Sequence, residues 1–283
     1  MLAKELDTAV SLARRAGAAM MKFYDTDLLV TDKFADDDFA EPVTAADHAS
    51  NDVIIAGLRE AFPADGILSE ETPDDKERLN KNRVWIIDPL DGTKGFINRD
   101  GDFAVQIGLA ENGEPVLGVV YLPHEDILYR ALKGRGAWMI AQSDGPKRLK
   151  VSDKTDFSEM NLAVSRDHRS PKMSRIFENL GLKSETGRGS VGLKVGLITQ
   201  QACDLYLHLS PRTKFWDTCA PQLILEEAGG RLTDLFGFPI RYNIPEVRNL
   251  NGIVATNGAA HELVIEHLKP LLNEFGRSRI TST

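Results

Sequence analysis

The sequence predicts a mixed α and β protein whose sheets are covered by helices. Three observations carry this. Amphipathic helical patterns open and close the chain, in LAKELDTAVSLARRAGAAMMKF and HELVIEHLKPLLNEF. An antiparallel meander of apolar strands runs from Phe103 to Ile140. From Asn161 onward, helices and strands alternate.

The first helix places Leu2, Leu12, Ala16 and Met20 on its apolar face. Lys4, Glu5, Asp7, Arg14 and Arg15 interrupt it, so it lacks the unbroken apolar core of a signal peptide and cannot span a bilayer. Residues 25–42 read as a polar, acid-rich connection. In PVTAADHASNDVIIAGLREAF, Thr44 caps a second helix and Asp47 falls in its first turn, where an acid suits the helix dipole. A turn at Pro63–Gly66 leads to the short strand GILSEE, which runs into Glu70 and Glu71. PDDKERLNKN reads as a solvated loop and VWIID as a buried strand.

The meander strands are FAVQIGLA, PVLGVVYLP, DILYRALK and AWMIA, separated by NG, HED and GRG turns. SDGPK is a further turn and RLKVS a short strand. KTDFSEM marks a boundary between two lobes, 1–152 and 153–283. Beyond it, NLAVS, DLYLHLS, RLTDL and GIVAT read as strands. PKMSRIFENLG, SVGLKVGLITQQ and WDTCAPQLILEEAGG read as helices, the first and last ending at glycine stop signals. No internal repeat is present.

The 283 residues are 42% hydrophobic, enough for one large core or two ordinary lobes. A net charge of −8 makes a soluble surface and argues against general nucleic-acid or membrane-surface binding. An anionic substrate stays open, because a bound metal inverts the local field. Cys203 and Cys219 lie in apolar surroundings and read as buried free thiols, which fits a reducing, cytoplasmic location.

Chemistry concentrates in the acids. The stretch WIIDPLDGTKGF delivers Asp88 and Asp91 to one short turn. Asp47 lies near a helix start, Glu70 at a strand end, and Asp217 at the start of a helix after Trp216. Carboxylates gathered near apolar sequence repel one another and resist desolvation. No basic residue lies within ILSEE or WIIDPLDG, so a hard divalent cation is the economical partner, and oxygen donors suit magnesium. Pro89 stops the strand, and the turn then aims Asp88, the Leu90 carbonyl and Asp91 at one centre. Gly92 lets the backbone approach a ligand closely, and a helix beginning after Thr93 offers free N–H groups to a phosphate. Taken singly, each feature has a plainer reading: a turn, a wet acidic surface, an acid on a helix dipole. The combination points to a site.

These motifs, SEE at 69–71, WIIDPLDGTKGF at 85–96 and WDTCAPQLILEEAGG at 216–230, resemble the inositol monophosphatase superfamily over nearly the whole chain. The resemblance implies an αβαβα sandwich of the inositol monophosphatase and fructose-1,6-bisphosphatase type, an α+β fold with the active site between two lobes. It implies magnesium-dependent, lithium-sensitive phosphatase activity with two or three Mg2+ ions. Glu70, Asp88 and the Leu90 carbonyl would hold one ion; Asp88, Asp91 and Asp217 a second; a weaker third would sit near Glu70. Thr93, oriented by Asp47, would position or deprotonate the attacking water, and the Gly92 and Thr93 amides would grip the phosphate. Members are often homodimers, though no interface is legible in this chain.

Within the superfamily, three features resemble the 3′(2′),5′-bisphosphate nucleotidase branch. The turn carries Lys94-Gly95, and SRDH at 165–168 and GSVGLK at 189–194 match segments that meet the nucleotide and its phosphate. Ser165, Arg166, His168, Ser190 and Lys194 then become candidate substrate contacts, with Asp217 beside them. Asp167 departs from the branch pattern by adding negative charge. The implied reaction removes the 3′-phosphate of adenosine 3′,5′-bisphosphate to give AMP. The alternatives are an inositol monophosphatase or a broad sugar-phosphate or histidinol-phosphate phosphatase on the same site, a regulator that binds metal without catalysis, and a scaffold with an acidic cleft.

Overall fold

The computed structural model describes residues 2–26, 30–34, 40–141, 145–166 and 170–281. Helices α1 (Ala3–Met21) and α2 (Ala45–Ala61) form the first layer. Between them, β1 (Thr31–Phe34) and β2 (Ala40–Val43) pair antiparallel, so the stretch read as an acid-rich connection carries a small ribbon.

The second layer is a seven-stranded sheet in simple chain order: β3 (Gly66–Ser69), β4 (Arg83–Asp91), β5 (Ala104–Glu111), β6 (Glu114–Leu122), β7 (Ile127–Leu132), β8 (Ala137–Ala141) and β9 (Lys147–Arg148). Only β3 and β4 run parallel. The predicted meander is β5 to β8. The loop PDDKERLNKN is less solvated than its composition suggests. A 3-10 turn at Glu77–Asn80 buries Arg78, which pairs with Asp74 at 3.0 Å and donates to the Ile244 and Pro245 carbonyls.

Strand β4 corrects the reading of Pro89 as a stop. It continues to Asp91, with a register break against β5 between Asp88 and Asp91. The reason is local. Neighbour β3 ends at Ser69, opposite Ile87, so beyond it β4 pairs only with β5 and a residue without an N–H is tolerated at the irregularity.

A five-stranded sheet forms the fourth layer, in the order β11, β10, β12, β14, β13. Its strands are β10 (Asn161–Val164), β11 (Ser184–Gly187), β12 (Leu205–His208), β13 (Arg231–Thr233) and β14 (Ile253–Thr256). Five further helices are α3 (Thr93–Asn98), α4 (Pro171–Leu180), α5 (Val191–Thr199), α6 (Phe215–Glu227) and, last, α7 (His261–Glu274) beside α4. The predicted glycine stop of α4 is met by Gly181, with φ +69°.

Burial sets the layer order. Leu12, Ala16, Met20, Ile54 and Leu58 cover one face of the larger sheet at Trp85, Ile87, Leu117 and Val119. Leu193, Val195 and Leu223 of α5 and α6 fill the space between its other face, at Val120 and Tyr129, and the smaller sheet, at Tyr206 and Ala255. Ile176, Val264 and Leu268 cover the far side of the smaller sheet at Leu162, Leu205 and Val254. The arrangement is αβαβα. Helix α6 lies very close to β5 and β6: a Cβ at Gly108 would come within 2.7 Å of Cys219 Sγ, and one at Gly118 within 2.5 Å of the Ala220 carbonyl. That approach brings the start of α6 to the end of β4.

At the start of α7, His261 is buried between the hydroxyls of Thr233 and Thr256, each 3.0 Å from a ring nitrogen. Burial pulls its pKa down from 6.5 to about 4. The folded state therefore resists protonation, and stability falls as pH drops from 6.5 towards 4. Between pH 7 and pH 5 this one group is expected to cost about 2 kcal/mol. Urea unfolding of His261→Gln at the two pH values should show a shallower loss than the wild type.

Candidate active site

Five acids arrive on four elements. Asp47 is the third residue of α2, where its Oδ2 accepts from the Thr44 amide at 2.8 Å and the Thr44 hydroxyl at 2.7 Å. Thr44 in turn accepts from the Ala46 amide, completing the expected cap. Glu70 follows β3, and its amide donates to the Ile87 carbonyl, which ties it to β4. Asp88 and Asp91 end β4. Asp217 sits in the first turn of α6, its Oδ2 accepting from the Lys214 amide at 2.5 Å.

Asp88, Asp91 and Asp217 each offer an oxygen within 4.8 Å of the others. Asp88 and Asp91 are buried and Asp217 is partly buried. Among the described residues this is the one such group able to hold a metal ion. Glu70 stands beside this triad, near enough that its charge opposes ionisation of both Asp47 and Asp217. Burial pushes the Asp91 and Asp217 carboxyls up, Asp217 further because Asp91 and Glu70 repel its charge. Burial also raises Asp47, against the hydrogen bonds from Thr44.

The turn after β4 is shaped as its residues suggest. The Leu90 amide donates to Asp88 Oδ1 at 3.0 Å, and the Ser50 hydroxyl holds the Pro89 carbonyl at 2.7 Å. Gly92 has φ +97°, and a Cβ there would come within 2.4 Å of the Asp102 carbonyl, so only glycine fits. Helix α3 begins at Thr93. The Thr93 hydroxyl lies 3.1 Å from Asp47 Oδ1 and 3.4 Å from the Leu90 carbonyl. Asp47, Thr93, Leu90 and the triad are thus held in one place by α2, β4 and α6.

Helix α5 supplies a cation that the local sequence around the acids did not reveal. Lys194 is buried, donating to the carbonyls of Gly189 at 3.2 Å and Arg188 at 3.4 Å, with its ammonium 4.9 Å from the Tyr206 ring centre. Burial lowers its pKa to about 8, while Asp91, Asp102 and Asp217 pull the other way. It is not a solvated helix lysine. Lys194, with Lys214 also acting on Asp217, still leaves excess negative charge against Asp88, Asp91, Asp217 and Glu70. The donors are all oxygens, with no His or Cys in the group, and that chemistry fits a hard divalent cation.

The remaining candidates divide. The Ser190 hydroxyl donates to Asp91 Oδ2 and accepts from the Leu193 amide, capping α5. Ser165 follows β10 and is partly buried. Arg166 pairs with Asp100 at 3.2 Å and Asp102 at 2.7 Å. His168 and Asp167 lie outside the described residues. Sequence reasoning missed Asp102, a buried carboxylate that also accepts from the Gly189 amide at 2.6 Å and pairs with Arg188 at 2.7 Å. It also missed Gln106, fully buried, whose Nε2 donates to Asp91 Oδ2. A lone polar residue inside the apolar run FAVQIGLA was the available signal.

Known proteins resemble this chain in sequence and in fold. A family model described as the inositol monophosphatase family matches residues 1–272. The Escherichia coli K12 protein named 3′(2′),5′-bisphosphate nucleotidase CysQ is 38% identical over 84% of this chain and 93% of its own length. The Bacillus subtilis inositol-1-monophosphatase is 29% identical over 89% of this chain and 92% of its own. Among solved structures, the Thermotoga maritima IMPase superposes with a TM-score of 0.81 at 26% identity, covering 96% of this chain and all of that one. CysQ from Bacteroides thetaiotaomicron gives 0.75 at 29% identity, covering 90% and 97%. With its αβαβα layers and its carboxylate triad at the meeting of β4 and α6, the chain belongs to the inositol monophosphatase family, whose members are metal-dependent phosphatases.

Proposed function

We propose that this enzyme is a magnesium-dependent 3′(2′),5′-bisphosphate nucleotidase that removes the 3′-phosphate of adenosine 3′,5′-bisphosphate. The supporting observation is the relatives' ranking: those named CysQ share more identity with the chain than the one named inositol-1-monophosphatase. Residues 1–152 form the lobe that carries most of the cation ligands, and 153–283 the lobe that carries Asp217 and the substrate contacts. Glu70, Asp88, the Leu90 carbonyl, Asp91 and Asp217 would hold two or three ions. When bound, the cations neutralise the ester's charge, lower the pKa of a nearby water and stabilise the leaving oxygen.

The chain's own residues do the rest. The Thr93 hydroxyl donates its hydrogen bond to Asp47 Oδ1, which leaves its lone pairs to accept one from the attacking water. Thr44 occupies Asp47 Oδ2, so the carboxylate cannot swing away. Gly92 and Thr93 amides face the phosphate being cleaved. Lys194, Ser165 and His168 serve the nucleotide and its second phosphate, and Ser190, whose hydroxyl proton goes to Asp91 Oδ2, lines the same place. The protein works in the cytoplasm, as a lithium-sensitive hydrolase and a homodimer in the manner of its family.

A panel of adenosine 3′,5′-bisphosphate, inositol 1-phosphate and fructose 1,6-bisphosphate, assayed with magnesium, tests the substrate. The nucleotide is expected to be turned over with at least about tenfold higher kcat/KM, a preference near 1.4 kcal/mol. Equal or faster turnover of inositol 1-phosphate would replace this reading with that of an inositol monophosphatase.

A further inference from the structure

We propose that Gln106 is a positioning residue for cation binding: it holds Asp91 Oδ2, so that Oδ1 is the oxygen Asp91 presents to the acid triad. The inference rests on the metal-site reading above.

Gln106 lies in the middle of β5, directly opposite Asp88 of β4 and Val120 of β6. It is fully buried, and the strand around it is otherwise apolar or glycine: Ala104, Val105, Ile107 and Gly108. Its Nε2 donates to Asp91 Oδ2, while its Oε1 is buried with no hydrogen-bond partner among the described residues. Burying an amide carbonyl without a donor is unfavourable, and an apolar side chain of similar size would avoid it. Turning the amide over does not help, since Oε1 would then face a carboxylate oxygen. The orientation and the orphaned carbonyl are both explained by service to Asp91.

Three further donors reach the same oxygen from the start of α5: the Ser190 hydroxyl, the Val191 amide at 2.9 Å and the Gly192 amide at 3.4 Å. Those come from the second lobe. Gln106 comes from the sheet that also carries Asp88, so it fixes the rotation of Asp91 relative to its neighbouring ligand. With Oδ2 saturated, Oδ1 keeps its lone pairs for a cation. Hydrogen bonds of this kind around ligating carboxylates set metal affinity.

The test uses the full chain. Calorimetric titration of magnesium into wild type, Gln106→Met and Gln106→Leu is read alongside the metal-free unfolding midpoint. Both variants are expected to bind magnesium about 10- to 100-fold more weakly, with the metal-free midpoint unchanged or raised. Ile107→Val, a cavity on the opposite face of the same strand, should lower the midpoint and leave the affinity unchanged. Wild-type affinity in both Gln106 variants overturns the inference, as does an equal loss in Ile107→Val, which would mean that the strand's general packing sets affinity. No magnesium binding by the wild type overturns the metal-site reading itself. Should both Gln106 variants fail to fold, the wild type decides. Its Gln106 side-chain amide protons should shift with the same midpoint as the calorimetric isotherm, and unmoved resonances reject the proposal.

Discussion

Asp217→Asn is expected to lower magnesium-dependent phosphate release by at least roughly 10³-fold, about 4 kcal/mol of transition-state stabilisation, and at the same time to raise the unfolding midpoint of the metal-free protein. The two effects share one cause. Three carboxylate oxygens lie within 4.8 Å of one another, and Glu70 adds a fourth charge nearby. At an effective dielectric of about 20, two such charges repel by ~3 kcal/mol, so a neutral side chain relieves the metal-free fold by an amount on the order of 1–3 kcal/mol. Asparagine keeps the oxygen that accepts from the Lys214 amide, so the start of α6 is preserved. The pH dependence follows with a definite sign. The Asp217 carboxyl is held well above its ordinary 3.8, so the metal-free protein is favoured at low pH and loses that stability as pH rises through the raised value. Asp217→Asn should flatten this trend. Added magnesium should stabilise the wild type strongly and the variant little. Thermal unfolding with chelator and with magnesium checks all three expectations. A variant that keeps both activity and the magnesium-induced shift would remove Asp217 from the site.

Much of this site was legible because its acids sit where local chemistry concentrates them. Asp47 and Asp217 each cap the helix they open, and Asp88 and Asp91 end a strand that is buried from Val84 onward. Helix periodicity, caps and glycine stops are short-range signals, and they placed α1, α2, α4, α6 and α7. What stayed hidden depends on contacts across the chain. The fate of Pro89 is decided by where β3 ends, about twenty residues earlier in the sequence. Periodicity alone leaves Lys194 an ordinary helix lysine, singled out only by the resemblance of GSVGLK, whereas in the fold α5 is pressed between two sheets, which strips the lysine of water and sets it among Asp91, Asp102 and Asp217. Ribbon β1–β2 and edge strand β11 (Ser184–Gly187) are short and polar, so neither alternation nor apolar runs announce them.

Thr93→Val is the sharpest probe of the chemical step. Valine matches threonine in shape but has no hydroxyl, so the first turn of α3 and the acid triad should persist. The expected result is a fall in kcat of about 10²–10⁴-fold with magnesium affinity unchanged, the range for losing a group that manages a proton in the transition state. Thr93→Ser should recover most of the rate, since the hydroxyl can again reach Asp47 Oδ1. Asp47→Asn separates the partners. Oδ2 of Asp47 already accepts two donors from Thr44, so the new amide NH2 must face Thr93. The threonine hydroxyl then becomes an acceptor for that NH2, and its own proton is left with only the more distant Leu90 carbonyl, 3.4 Å away. One of its two lone pairs is taken by that NH2 and the hydroxyl turns away from the orientation that Asp47 imposes, so it no longer aims at the attacking water and the rate should fall nearly as far as in Thr93→Val. The double variant should then be little worse than either single one, because both remove the same relay. Additive losses would show that Asp47 acts by a separate route, such as the field it adds beside Glu70, and Thr93 would be left with orientation alone.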